Sequence, residues 1–285
     1  MIEGVYIPII TPFKDGKVDF DSLRKLIQNY LDKGIHGIMP LATTGEVPAI
    51  DADEYKAVLE AAIDEVKGSV PVYAGVSGNA TWKMIKQLKS LDAYDISGFL
   101  VTAPYYNLPS QEGIHSHFKA LAENTDKDIV IYNIPYRTGR NMENETIFKL
   151  AEIPNIVGIK DSCGNPAQSV ELITQSSDDF SVMTGEDIFF LANLCHGGSG
   201  GILASAHLKT EDFVKIYNHV RANDLASAQG VWKKLFPVIP LLFKEPNPAP
   251  VKYLLYRDGQ ISSDEVRGPL CGISEGLKKE FGRLL

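Results

Sequence analysis

The sequence predicts an α/β protein, a closed (β/α)8 barrel followed by a C-terminal helical extension. Three observations carry this reading. Eight short apolar runs alternate with amphipathic stretches, the runs recur at roughly 20 to 35 residues, the span of one βα unit, and the strand signal then stops. The runs are Val5–Ile9, Gly37–Met39, Val70–Ala74, Gly98–Val101, Ile129–Tyr132, Ile156–Lys160, Phe180–Met183 and Gly201–Leu203. They are short and rich in β-branched residues, as buried parallel strands are. Between them, helices have readable starts. Asp19 and Asp21 precede Leu23, Leu26, Ile27, Tyr30 and Leu31, which repeat at three and four. Asp51 precedes Tyr55, Val58, Leu59 and Ile63; Asn144 and Thr146 precede Ile147 and Leu150; Asp187 precedes Phe190, Leu191 and Leu194. After about residue 222, Leu225–Phe243 (interrupted by Pro237 and Pro240) and Ile273–Leu284 read as added helices. The expected organisation is a barrel over 1–222 and a helical extension over 223–285 packed on it.

With 285 residues, 44% hydrophobic and 22% charged, the chain has an ordinary globular composition and enough length for one large core. A net charge of −8 without a basic block argues against nucleic acid or an anionic membrane as partner. There is no apolar run long enough to span a bilayer, and Met1-Ile2-Glu3-Gly4 does not open a secretory signal. Cys163, Cys195 and Cys271 are scattered and odd in number, which fits a reducing cytoplasm and suggests neither disulfide nor zinc.

In such barrels the chemistry sits at the C-terminal ends of the strands. There the sequence offers Thr43-Thr44-Gly45-Glu46, Pro104-Tyr105-Tyr106-Asn107, Tyr132-Asn133-Ile134-Pro135-Tyr136-Arg137-Thr138-Gly139, Lys160-Asp161 and Thr184-Gly185-Glu186-Asp187. Lys160 ends an apolar strand, an unusual place for an amine. One reading is a stem lying along the strand with its head in water. The other is an amine withdrawn from water, its pKa lowered, able to attack a ketone. Tyr132 ends the neighbouring strand, close enough to share a site with it.

Other candidates read as background. Glu46, Asp161 and Glu186 could suggest a glycosidase carboxylate pair, but Glu46 is expected to brace its own loop. His115 and His117 fall on different faces of a helical segment, Glu112–Glu123, so they make no metal site. Gly197–Gly201 precedes a strand and reads as a tight turn, not a phosphate loop. His36, His196, His207 and His219 have no evident partner in sequence, and no base adjoins Cys163. No motif demands a cofactor.

These strand ends resemble, over essentially the whole chain, the family of pyruvate-dependent class I aldolases and lyases that includes dihydrodipicolinate synthase and N-acetylneuraminate lyase. The resemblance rests on Ala42–Glu46, Pro104–Asn107, Tyr132–Gly139, Gly158-Ile159-Lys160 and Glu245–Lys252. Thr43-Thr44 together with Arg137 is similar to the synthase branch; sialate lyases carry Ser-Thr and lack that arginine. The resemblance implies a lyase in which Lys160 forms a Schiff base with pyruvate. The resulting enamine then attacks L-aspartate 4-semialdehyde, giving 4-hydroxy-tetrahydrodipicolinate on the diaminopimelate route to lysine. It further implies Tyr132 as general acid/base, with a relay through Thr44 and a Tyr106 supplied by a neighbouring subunit. Thr43 and Thr44 would hold the pyruvate carboxylate and Arg137 the second carboxylate. Gly185 and Ile202 would line the pocket, Ile202 through its carbonyl. The implied assembly is a homotetramer, a dimer of dimers. Two alternatives stay open: an aldolase or dehydratase of the same family acting on a 2-keto-3-deoxy sugar acid, and a barrel that binds a keto acid without turnover.

Three positions depart from the family pattern: Ala42 and Leu203 stand where the synthases carry Gly and Ser, and Tyr136 fills a position that is often small. In relatives inhibited by lysine, the segments matching Asp51–Tyr55 and Asn79–Lys83 bind it with His and Glu side chains. Here Ala52, Tyr55 and Lys83 occupy those places, although Asn79 and Tyr105 remain, so weak or absent feedback inhibition is expected.

Overall fold

The computed structural model describes residues 1–284. Eight strands form one sheet: β1 (Gly4–Ile7), β2 (Gly37–Ile38), β3 (Tyr73–Val76), β4 (Gly98–Thr102), β5 (Asp128–Asn133), β6 (Ile156–Asp161), β7 (Ser181–Thr184) and β8 (Gly200–Ile202). Their hydrogen-bonded order is β2-β1-β8-β7-β6-β5-β4-β3, and a parallel bridge between Ile38 and Val72 joins β2 to the residue before β3. Eight helices alternate with them: α1 (Phe20–Asp32), α2 (Ala52–Val66), α3 (Thr81–Leu91), α4 (Gln111–Ala122), α5 (Asn144–Ala151), α6 (Pro166–Gln175), α7 (Phe190–Cys195) and α8 (Ala206–Arg221). This is the expected (β/α)8 barrel. After residue 222 come α9 (Leu225–Leu235), a short helix at Ile239–Leu242, α10 (Ala249–Arg257) and α11 (Glu275–Leu284).

Helix starts follow side-chain chemistry. Asp19 accepts from the Ser22 amide at 3.1 Å. Asp51 and Glu54 form a full capping box at the head of α2, an arrangement typically worth about 1 kcal/mol. Strand ends depart from expectation where proline intervenes. Pro8 has no N–H, so β1 stops at Ile7. The third strand was expected over Val70–Ala74, but its ladder with β4 begins only at Tyr73↔Gly98.

By contacts the chain divides into two compact units: Met1–Gly4 with Tyr73–Ile202, and Val5–Val72 with Leu203 onward. The first unit holds β3 to β8 and α3 to α7, with a core that includes Phe99, Phe118, Ile131, Ile159 and Phe190. The second unit holds α1, α2, α8 and the helices after residue 222, around Leu23, Ile27, Tyr30, Phe213 and Phe281.

Three of the four histidines with no evident partner in sequence have one here. His207 is fully buried: its Nε2 accepts from the Ile10 amide at 3.1 Å, and Nδ1 meets the Ala204 carbonyl at 2.8 Å. His36 Nδ1 accepts from the Val5 amide, and His219 lies 3.4 Å from Asp224. Each contact joins backbone or loop groups that the one-dimensional pattern does not pair.

Candidate active site

Strand β6 alternates its side chains, and its last two residues go opposite ways. Lys160 is buried. Its register partner on β5 is Tyr132, and Nζ lies 4.3 Å from that ring's centroid. Burial lowers the amine to about 8; Asp187 and Glu186 pull it up again, and Arg137 pushes it down. The lysine is therefore withdrawn from water and does not snorkel. Asp161 instead meets the helices: it accepts from Ser169 Oγ on α6 at 2.5 Å and from the Cys163 amide at 3.1 Å. A cavity of about 160 Å³ opens on that side, lined by Asp161, Cys163, Ser169, Thr184 and Glu186, and Lys160 is not among its lining residues. Burial raises the Asp161 carboxyl and the Cys163 thiol alike, so the thiol is not an activated nucleophile.

The loop after β7 is shaped by the lysine. The Gly185 amide donates to the Asp161 carbonyl at 2.7 Å, and a Cβ on Gly185 would lie 2.6 Å from Lys160 Cε and 2.8 Å from Cγ. Glu186 follows, half-buried, its carboxyl raised chiefly by desolvation and lowered by a hydrogen bond from Tyr136. Desolvation likewise raises the Tyr136 phenol, and the Arg137 guanidinium stands 6.0 Å from its ring. Arg137 itself is exposed on a four-residue helical turn, Pro135–Thr138, closed by the left-handed Gly139.

The Thr43-Thr44 loop lies in the other unit. Leu41 and Glu46, with φ of 62° and 55°, flank it in the left-handed region. Gly45 is packed against the Ile9 carbonyl, and Thr11 Oγ1 donates to the Gly45 carbonyl at 2.8 Å. Thr43 is half-buried and Thr44 buried, and the Thr44 hydroxyl accepts from Asn247 Nδ2 at 2.9 Å. Glu46 braces its loop from outside, through the residues after 222. It pairs with Lys252 Nζ at 2.5 Å and accepts from the Arg267 amide at 2.9 Å. A buried carboxylate must be paired, and the helical extension supplies the partner.

Of the residues expected to act together, Lys160, Tyr132, Arg137 and Gly185 are gathered in one unit, and the buried Ile202 ends β8 of that unit. Thr43 and Thr44 belong to the second unit. Tyr106 is 89% exposed, on a strained loop where φ is 73° at Tyr106 and 45° at Leu108. The glycosidase pairing of Glu46, Asp161 and Glu186 fails, because Glu46 is neutralised by Lys252 and Asp161 faces the helices. Among the described residues no cluster of His, Cys, Asp and Glu could hold a metal, and His117 is buried against Thr81, 2.8 Å away. Sequence reasoning missed the influence of Asp187 and Glu186 on the lysine, and the roles of Asn247 and Lys252. The available signal was Lys252 sitting at helical spacing among Val251, Leu254 and Leu255.

The sequence profile of the Dihydrodipicolinate synthetase family matches residues 1–285. The 4-hydroxy-tetrahydrodipicolinate synthase 2 of Clostridium acetobutylicum is 54% identical, covering 100% of this chain and 99% of the relative. The crystal structure of dihydrodipicolinate synthase from Thermotoga maritima superposes with a TM-score of 0.96 at 35% identity, covering 100% of this chain and 97% of that one. The chloride-inhibited dihydrodipicolinate synthase of Acinetobacter baumannii, complexed with pyruvate, also gives 0.96, at 33% identity over 100% of this chain and 98% of that one. With its lysine-bearing barrel strand and a profile match over the full length, the chain belongs to the dihydrodipicolinate synthetase family.

Proposed function

We propose that this chain condenses pyruvate with L-aspartate 4-semialdehyde through a Schiff base on Lys160, giving 4-hydroxy-tetrahydrodipicolinate on the diaminopimelate route to lysine. One observation carries the reading: a buried amine, lowered to about 8, ends β6 beside the Tyr132 ring. At pH 7 about one-tenth of such an amine is neutral, against less than about one-thousandth for an ordinary lysine. The synthase named in C. acetobutylicum, 54% identical, supports this acceptor over a sugar acid, and the pyruvate held by the A. baumannii relative supports the donor.

The neutral amine adds to the ketone, and loss of water leaves an iminium. That cation draws electrons from the methyl carbon, which gives up a proton and becomes the enamine nucleophile. Its carbon attacks the aldehyde, whose oxygen takes up a proton. The acceptor's own amine then attacks the imine carbon, closes the ring and releases Lys160. The iminium formed on the protein's own amine is the electron sink, so the chemistry needs no cofactor. Tyr132, register partner of the lysine, is the proposed proton carrier. Thr44 and a Tyr106 from a second copy form the proposed relay, and Thr43 with Thr44 the carboxylate cradle. Arg137 is assigned the second carboxylate, since its planar fork suits bidentate binding. Gly185 and the Ile202 carbonyl complete the lining.

The 89% exposure of Tyr106 supports its delivery to another subunit and hence at least a dimer, with a homotetramer as the proposed assembly. Residues 1–222 are read as the catalytic barrel and 223–285 as its helical extension. The cytoplasm is the proposed compartment, supported by three free cysteines. The decisive experiment is borohydride reduction in the presence of pyruvate, followed by peptide mapping. The adduct is expected on Lys160; an unlabelled Lys160 peptide overturns the assignment.

A further inference from the structure

The segment Glu245–Lys252 links the helical extension to the threonine loop at two points. Asn247 Nδ2 donates to Thr44 Oγ1 at 2.9 Å. Five residues on, Lys252 Nζ meets Glu46 at 2.5 Å and donates to the Glu265 carbonyl at 2.8 Å. Thr44 and Glu46 are two residues apart, so both anchors close on one turn of the loop. Lys252 is fully buried, its Nζ 4.1 Å from the centroid of the Phe13 ring, a costly place for an ammonium unless its partner is fixed. Glu46 is held in the left-handed region, where a non-glycine residue persists only under outside constraint. At the far end Glu245 accepts from the Ser274 amide at 2.9 Å, which fixes the segment to the start of α11.

A threonine hydroxyl has one proton and two lone pairs and rotates freely when nothing holds it. The amide of Asn247 fills one lone-pair direction of Thr44, leaving the proton and the other lone pair to face elsewhere. A relay that passes a proton through this hydroxyl requires that one-way orientation. We propose that Asn247 is a positioning residue for catalysis: it sets the rotamer of the Thr44 hydroxyl, while the Lys252–Glu46 pair holds the loop that carries it. This rests on the relay role assigned to Thr44 above. The helical extension is then a working part of the catalytic barrel.

The test is a double-mutant cycle on the full-length enzyme with Asn247→Ala, Thr44→Val and the pair together. Asn247→Ala should lower kcat about 10- to 100-fold, the scale of a misaligned catalytic group, while KM for pyruvate moves less than about threefold. In the Thr44→Val background the same change should cost less than about twofold, because no hydroxyl remains to orient. Borohydride with pyruvate should still label Lys160 in Asn247→Ala. That separates this proposal from the Schiff-base reading, which fails only if the wild type is unlabelled. A kcat within twofold of wild type for Asn247→Ala, or losses that multiply in the double variant, overturns the positioning role. Should Asn247→Ala not fold, Asn247→Asp is read instead. Its carboxylate accepts and cannot donate, so the Thr44 proton is turned toward it. The ratio of variant to wild-type kcat should then rise as pH falls and the carboxyl regains a proton, and a ratio independent of pH overturns the role.

Discussion

Gly185 lies against the stem of Lys160 so closely that an added Cβ would come within 2.6 Å of Lys160 Cε, and nearer still to Ser162 Oγ, so one of these side chains would have to shift. The backbone of β7's loop is thus the wall that fixes the amine's direction. Gly185→Ala should push the lysine off its line toward Tyr132. The expected loss in kcat/KM is about 100-fold or more, against an overpacking cost of about 1–3 kcal/mol in stability. Kinetics and urea unfolding on the same sample check this; full activity would mean the stem moves aside at no cost to its function.

The lysine's lowered pKa has two consequences, and both run upward with pH. For catalysis, kcat/KM for pyruvate should climb about tenfold per pH unit below 8 and level off above it, as the neutral amine fills in. For stability, the unfolded chain keeps this proton up to its ordinary value of 10.5, whereas the folded chain sheds it near 8. Between those values the unfolded state binds more protons, so folding stability gains from this residue as pH rises. Lys160→Met should remove both effects. It should abolish activity and raise stability at pH 7 by about 3 kcal/mol, the cost of burying the charged amine. A variant less stable than the wild type would contradict the burial argument.

Lys160 was legible because a charge ending an apolar strand breaks the pattern of its neighbours. The alternation of eight strands and eight helices was legible because burial on both faces of a parallel strand leaves a short apolar run. Gly185 was readable as a strand-end residue, but not the reason for it, which is set by the β6–β7 pairing of Asp161 with Thr184. The bond from Asn247 to Thr44 spans 203 residues, and no local periodicity reports it. A small hairpin, Phe13–Lys14 with Lys17–Val18, went unread although Asp15-Gly16 at its tip is a strong turn signal, with φ of 52° and 76°. Two-residue strands are too short to show alternation.

Feedback by lysine is expected to be weak or absent. Lys83 is exposed, its Nζ 5.5 Å from the centroid of the Trp82 ring, and presents a cation where a carboxylate would be needed to attract an ammonium. Tyr55 is buried as part of the α2 face and Ala52 offers no hydrogen-bonding side chain. Initial rates at saturating substrates should be unchanged by millimolar L-lysine. Half-inhibition at micromolar lysine would show that other groups bind it.

Two buried histidines should set the acid limit of the fold. Desolvation lowers both His207 and His117 to about 4, from an ordinary 6.5. His207 cannot take a proton on Nε2 without giving up the Ile10 amide, whose hydrogen bond it accepts. As pH falls below 6.5 the unfolded chain protonates these rings and the folded chain does not, so stability drains away until about pH 4. Each contributes a slope of up to about 1.4 kcal/mol per pH unit in that window. Urea midpoints should therefore fall steeply between pH 6.5 and 4.5. His207→Gln, which keeps an acceptor for the Ile10 amide but does not titrate, should flatten that slope by about half of the histidine share. An unchanged slope in the variant would show that His207 does not carry the acid sensitivity.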